Sequence, residues 1–158
     1  MDNQRIPVAE SKRTEGPTPY YGANGIQDFV SGYTHDGECI LVAEDGANDL
    51  KNYPVQYVKG RIWVNNHAHV LKAKTDNSTP FLKYVISSTD FESVLVGGGR
   101  AKLNASIMMN LDFMMPKKKE QNSIASLFLS LDSLITLHQR KLEKLKNIKK
   151  SLLERMFA

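Results

Sequence analysis

The 158-residue chain has one cysteine, Cys39. An internal disulfide is therefore impossible and no Cys-based metal spacing exists. The expectation is a reduced, cytoplasmic protein. No apolar run approaches the ~20 residues needed to cross a bilayer, so no membrane association is expected. The opening Met1-Asp2-Asn3-Gln4-Arg5 lacks the apolar stretch of a secretory signal. Enzymatic signals are equally scarce. Gly97-Gly98-Gly99-Arg100 is not a phosphate loop, because no Gly-Lys-Ser/Thr follows it. No strand-turn-helix nucleophile motif is present. Cys39 sits in an apolar run, which suits an inert core thiol. No catalytic residue, metal or cofactor is expected.

Hydrophobic residues make up 41% of the chain, enough to build a core. The net charge of +4 is too mild to name a partner, but it is unevenly spread. Residues 1–116 hold 11 basic and 13 acidic side chains, net −2. Residues 117–158 hold 10 basic and 4 acidic, net +6. Two physically different parts are expected, divided near Pro116.

The first part reads as strands and turns. Residues 1–19, with Pro7, Pro17 and Pro19, read as extended or loose. Between Gly22 and Gly25 a turn is expected, with Asn24 as the residue of positive φ. Strands are expected over Gln27 to Tyr33, Glu38 to Ala43 and Ala68 to Ala73, with a hairpin over Val55 to Val64 broken at Lys59-Gly60. Thr79 and Pro80 open a helix running to Ser88. Phe91 to Val96 and Leu111 to Met115 read as further strands, with a short helix over Ala105 to Asn110. This pattern suits a small twisted sheet or partial barrel.

The second part is different. Lys117 to Phe157 has neither Gly nor Pro. Apolar residues recur at Phe128, Leu131, Ile135, Leu142, Leu145, Leu152 and Met156 in a 3-4 alternation whose other two slots hold His138 and Lys149, the mark of a coiled-coil helix. A second stripe runs through Ile124, Leu127, Leu131, Leu134, Leu145, Ile148 and Leu152. Such a helix spans roughly 60 Å at ~1.5 Å per residue. A domain of ~115 residues has a radius of gyration of about 13 Å and cannot bury it. Part of the helix must project and pack on another helix. The alternative is a solvated helix folded back on its own domain.

Binding chemistry is what remains. Asn65-Asn66-His67 offers donors and acceptors in a row. Tyr20 and Tyr21 combine ring and hydroxyl, and Asn24 shares their loop. Lys59 and Arg61 flank a turn, and Arg100 and Lys102 follow the glycine run. Arg, Lys, Asn and Gln are the side chains that read base edges or hold phosphates. His67-Ala68-His69 resembles a metal pair, with both rings on one face of a strand, but no Cys or well-spaced carboxylate completes the set.

An ordered series of blocks then carries a resemblance. Tyr20-Tyr21-Gly22-Ala23-Asn24-Gly25, Ala43-Glu44-Asp45-Gly46-Ala47, Asn65-Asn66-His67-Ala68-His69-Val70-Leu71 and Lys102-Leu103-Asn104 are followed by Pro116, Glu120-Gln121, Ile124-Ala125, Leu131-Asp132, Lys149-Lys150 and Met156-Phe157. The chain resembles the specificity (S) subunit of type I restriction-modification systems from about residue 16 onward. The resemblance implies a non-catalytic protein that reads double-stranded DNA. It also implies docking to modification (methyltransferase) subunits, which methylate adenine with S-adenosylmethionine, and indirectly to restriction subunits. The implied fold is α+β, with a β-rich target-recognition domain over residues 1–116 and a long coiled-coil helix over residues 117–158. A usual S subunit has two recognition domains and two long helices. Here there is one of each, so the chain looks like a half-subunit, shortened at its N-terminus.

A two-fold homodimer through the helix would restore the missing half. The seven stripe residues from Phe128 to Met156 would form the seam, and the target would be an inverted repeat. The expected DNA contacts are Tyr20, Tyr21, Asn24, Lys59, Arg61, Asn65, Asn66, His67, Arg100 and Lys102. The four cations among them, Lys59, Arg61, Arg100 and Lys102, are expected on one face. Two other readings stand beside this one: an S-like interaction protein that docks the methyltransferase without reading DNA, and a small metal enzyme using His67, His69 and Asp45.

Overall fold

The computed structural model describes residues 1–95 and 102–157. Six strands form two small sheets. In the first, β1 (Glu15–Gly22) lies between β2 (Gly25–Val30), antiparallel to it, and the short β5 (Trp63–Val64), parallel to it. In the second, β3 (Glu38–Ala43) lies between β4 (Val55–Lys59) and β6 (Ala68–Leu71), both antiparallel to it. Three helices follow: α1 (Thr79–Ser87), α2 (Ala105–Met109) and α3 (Lys118–Phe157).

β3 is the hinge of the core because it is apolar on both faces. Ile40 and Val42 face a cluster with Tyr53, Ile86, Phe91, Leu103 and Met108. Cys39 and Leu41 face a second cluster with Tyr21, Val58, Ile62, Val64 and Val70, which joins the two sheets. A strand buried on both sides loses the apolar-polar alternation and reads as a continuous run, as Glu38 to Ala43 does.

The other sequence expectations fare unevenly. Of the two expectations for residues 1–13, extended or loose, the second fails: two 3-10 turns, Asp2–Gln4 and Glu10–Lys12, are joined to extended chain at Arg5 and Arg13. Ile6 N–H donates to the Val64 carbonyl at 3.1 Å and Trp63 Nε1 to the Ile6 carbonyl at 2.8 Å, so this segment lines the edge of β5. Val55 to Val64 is no hairpin. Its two halves, β4 and β5, join different sheets, and Gly60 (φ +96°) turns the chain between them. The turn after β1 uses Gly25 (φ +122°), not Asn24, for its positive φ. Phe91 to Leu95 is not a strand. Glu92–Val94 is a 3-10 turn, and Phe91 is buried against Tyr53 with ring centroids 4.6 Å apart. Among the described residues Leu111 to Met115 pairs with no strand.

α3 is rooted on α1 and then leaves it. Gln121 and Ala125 are its only buried residues among those described. Gln121 Oε1 accepts the Ser78 N–H at 2.8 Å, at the N-cap of α1. Its Nε2 donates to Asn77 Oδ1 and the Pro116 carbonyl, each at 2.8 Å. Farther along, Asp132 accepts from Tyr84 Oη at 2.7 Å and Lys83 Nζ at 3.2 Å, and Phe128 packs on Tyr84. From Ser126 to Phe157 every residue is exposed. No helix among the described residues is long and apolar enough to cross a membrane.

Candidate nucleic-acid interface

The residues expected to touch DNA separate into two groups at opposite ends of β3. Its six residues put those ends roughly 17 Å apart. At the C-terminal end, past Ala43, lie Asn24, Asn65, Asn66, His67 and Lys102. At the N-terminal end, beside Glu38, lie Lys59 and Arg61. Lys59 and Arg61 therefore stand about a strand length from Lys102 rather than beside it. Arg100 lies outside the described residues.

At the C-terminal end the polar side chains hold loops together. Asn24 Nδ2 donates to the Gly46 carbonyl at 2.8 Å, and its Oδ1 accepts the Asn48 N–H at 2.9 Å. Asn65 is buried. Its Oδ1 accepts the His67 N–H at 2.8 Å, closing an Asx turn, and its Nδ2 meets Gln27 at 3.2 Å. His67 Nδ1 lies 2.5 Å from Asp45 Oδ1. Asn66, between them, is exposed. Lys102 Nζ pairs with Glu44 Oε1 at 2.8 Å, and Arg5 takes the other oxygen of the same carboxylate at 2.6 Å. Burial would raise the Glu44 pKa, but the Lys102 and Arg5 bonds outweigh it and hold it low. In turn, the Glu44 bond raises the Lys102 pKa.

Tyr20 and Tyr21 are core residues. Tyr20 is 1% exposed. Its ring packs against Trp63 and under the Arg13 guanidinium, 4.1 Å away, and its hydroxyl accepts the Val8 N–H at 3.0 Å. Burial also pushes the Tyr21 phenol pKa up. Neither ring is at the surface where a base edge could reach it. Tyr20, Asn24 and Asn65 are thus engaged within the chain, and Gln121 and Asp132 bond to residues at the start of α1 and along it.

The His67–His69 pair does not converge. β6 begins at Ala68, so His67 lies in the preceding turn and His69 points into the protein. Both ring nitrogens of His69 are engaged, Nδ1 by Asp2 at 2.6 Å and Nε2 by the Leu103 carbonyl at 2.8 Å. Among the described residues no group of three or more His, Cys, Asp or Glu could hold a metal ion.

At the N-terminal end the side chains are open. Lys59 pairs loosely with Glu38 at 3.4 Å. Arg61 lies over the Tyr33 ring and near Asp36. Tyr33 and Asp36 are not among the contacts expected from the sequence. Their signal is weak: alternation in His35-Asp36-Gly37 opposite Gly60-Arg61-Ile62, visible only once those turns are known to pair. Asp2, Arg5 and Arg13 give no signal in the sequence either, since they lie in the stretch expected to be extended or loose.

The expected helix seam is at the surface. Phe128, Leu131, Ile135, Leu142, Leu145, Leu152 and Met156 are between 42% and 72% exposed. Phe128 packs in part on Tyr84, and beyond it the stripe leaves a large amount of apolar surface open.

Comparison with known proteins accounts for this combination. The chain is 40% identical over 134 residues to a putative type I restriction enzyme specificity subunit of Haemophilus influenzae, covering 85% of this chain and 35% of that one. It is 24% identical over 127 residues to the EcoprrI type I restriction enzyme specificity subunit of Escherichia coli, covering 80% and 31%. It therefore spans about a third of the length of these curated relatives. The crystal structure of a type I restriction-modification S subunit from M. genitalium superposes with a TM-score of 0.74 at 17% identity, over 98% of this chain and 42% of that one. That likeness shows the α+β fold, a sheet-rich unit followed by a long helix. A family model for the type I restriction modification DNA specificity domain matches residues 1–147, and with it the chain belongs to that family.

Proposed function

We propose that this chain reads one half of a bipartite DNA target and directs an adenine methyltransferase to it, without doing chemistry itself. Residues 1–116 recognise the half-site. Residues 117–158 dimerise, set the spacing and dock the modification subunit, through which restriction subunits join. The setting is the cytoplasm.

The observation that carries this reading is the exposed apolar stripe of α3 in a member of a DNA specificity family. Burying a Leu or Ile side chain contributes ~1.5–3 kcal/mol, so a seam of seven favours strong helix pairing. Two copies packed antiparallel place one recognition unit at each end. A two-fold axis then makes the target an inverted repeat whose spacing follows helix length.

Methylation mapping with this chain and its modification subunit is the test. A palindromic bipartite motif supports the proposal. Methylation at unrelated sites, or none, overturns it. A second reading has one observation in its favour: Tyr20, Tyr21 and Asn65 are buried, and His67 and Lys102 are paired with carboxylates. On that reading the chain docks the methyltransferase without reading DNA. Co-purification with the methyltransferase but no selective retention of DNA would favour it.

A further inference from the structure

Arg61 and Asp36 face each other on a short ladder outside the named strands. His35 and Ile62 exchange two backbone hydrogen bonds, both 3.0 Å, and Gly37 and Gly60 exchange two of 3.2 and 3.0 Å. Asp36 and Arg61 are therefore the non-hydrogen-bonded rung between them, the rung on which side chains come closest. Alternation fixes the faces. His35 and Ile62 are each 2% exposed and point inward. Asp36 and Arg61, one residue along, point to solvent, with side chains 52% and 65% exposed.

The guanidinium is held from two sides. Asp36 Oδ2 accepts from Nε at 3.4 Å, and the half-exposed Tyr33 ring lies 4.8 Å from the guanidinium carbon. Neither contact uses the terminal Nη groups, which have no hydrogen-bond partner among the described residues. An Arg fixed at Nε and stacked on a ring presents its Nη hydrogens as a planar fork. That fork matches O6 and N7 of guanine in the major groove. A phosphate is a poorer fit, because the Asp36 carboxylate would repel it. A guanine edge is neutral and accepts two hydrogen bonds.

We infer that Arg61 reads a guanine of the half-site, with Tyr33 and Asp36 as positioning residues. This rests on the DNA-reading function proposed above. The test is selection from a randomised duplex library by the full chain with its modification subunit, comparing wild type with Arg61→Gln, Arg61→Lys, Asp36→Asn and Tyr33→Leu. The wild type should enrich a motif with one invariant G in each half-site. Both Arg61 variants should lower preference for that G by about 5- to 150-fold and leave the other positions unchanged. Asp36→Asn and Tyr33→Leu should relax the same position by less. The exposed Arg61→Lys keeps the charge, so its melting temperature should match wild type and separate recognition from folding. A motif that survives Arg61→Gln overturns this inference alone. So does a uniform loss across sequences with a shallower salt dependence, which marks a phosphate contact. A wild type that enriches no motif overturns the DNA-reading function and takes this inference with it.

Discussion

Asp2 and His69 lie 67 residues apart and are joined by a 2.6 Å contact between Oδ2 and Nδ1. His69 is 1% exposed, and its other nitrogen faces the Leu103 carbonyl. Two acceptors require two donors, so the charged imidazolium fits this site better than either neutral tautomer. Glu44 stands 3.6 Å from the same Nδ1, with Arg5 and Lys102 on its two oxygens. Burial would lower the His69 pKa, but the Asp2 bond, the Leu103 carbonyl and the Asp2 and Glu44 charges raise it above 6.5. Burial would raise that of Asp2, but the His69 bond, the Val70 N–H and the charges of His69 and Arg5 hold it below 3.8. The His69 contribution to stability is therefore complete below about pH 6.5 and is lost as pH rises through the raised folded value. The Asp2 contribution is complete above about pH 4 and is lost as pH falls through the lowered one. Calorimetry should show the melting temperature of wild type, relative to His69→Gln, highest between about pH 4 and 6.5 and declining on the alkaline side. Parallel curves for the two proteins would refute this.

That bond also shows what the sequence could not reveal. Asp2 and Arg5 look like solvated residues in a polar stretch with three prolines, and only the fold brings them onto β6 and Glu44. Glu38 to Ala43 was legible because a doubly buried strand must be apolar on both faces. Val55 to Val64 misled because pattern records burial and not partners, and a β strand changing sheets looks the same as a hairpin. Phe91 misled similarly, since one buried ring in a 3-10 turn supplies the apolar signal of a strand. The stripe of α3 was readable because its period needs no tertiary context. The loops past the C-terminal end of β3 were not, because Asn65 closing a turn and Asn66 facing water are the same residue type one position apart.

Gln121 offers a direct test of how α3 is rooted. Its amide satisfies Ser78 N–H, Asn77 Oδ1 and the Pro116 carbonyl, and it is 1% exposed. Leucine would fill the space but leave those groups unpaired. Each buried polar group stranded in this way costs about 1–3 kcal/mol. Gln121→Leu should lower unfolding free energy by about 2–4 kcal/mol in urea titration. A loss under about 0.5 kcal/mol would mean that water or backbone adjustment replaces the amide.

Gly16 probes the bulged pairing of β1 and β2. A Cβ there would lie 2.5 Å from Ser31 N and 2.6 Å from Ser31 Cα. Both are backbone atoms, so the strands must separate to admit it. Gly16→Ala should destabilise by about 1–3 kcal/mol, the usual range for overpacking. At Gly22 the clash is with the Gln27 side chain, which can swing aside with the loss of its contact to Asn65. Gly22→Ala should therefore cost less. Equal costs in parallel denaturation curves would show that the β1–β2 pairing yields more readily than the geometry implies.

The helix seam gives a test in which folding and assembly can be separated. Ile135 and Leu145 are each 54% exposed. Lysine is nearly as good a helix former as leucine, so Ile135→Lys with Leu145→Lys should leave helicity and melting of the sheet-rich part unchanged. In a two-fold dimer the pair of substitutions removes four apolar side chains from one seam. At ~1.5–3 kcal/mol each, even partial burial weakens association by roughly a thousandfold or more. Sedimentation at micromolar concentrations should then show a dimer for wild type and a monomer for the variant, with matching circular dichroism. A wild type that sediments as a monomer with and without its modification subunit would leave the stripe without its second copy. A variant that stays dimeric would move the interface away from α3, and with it the idea that helix length measures the distance between half-sites.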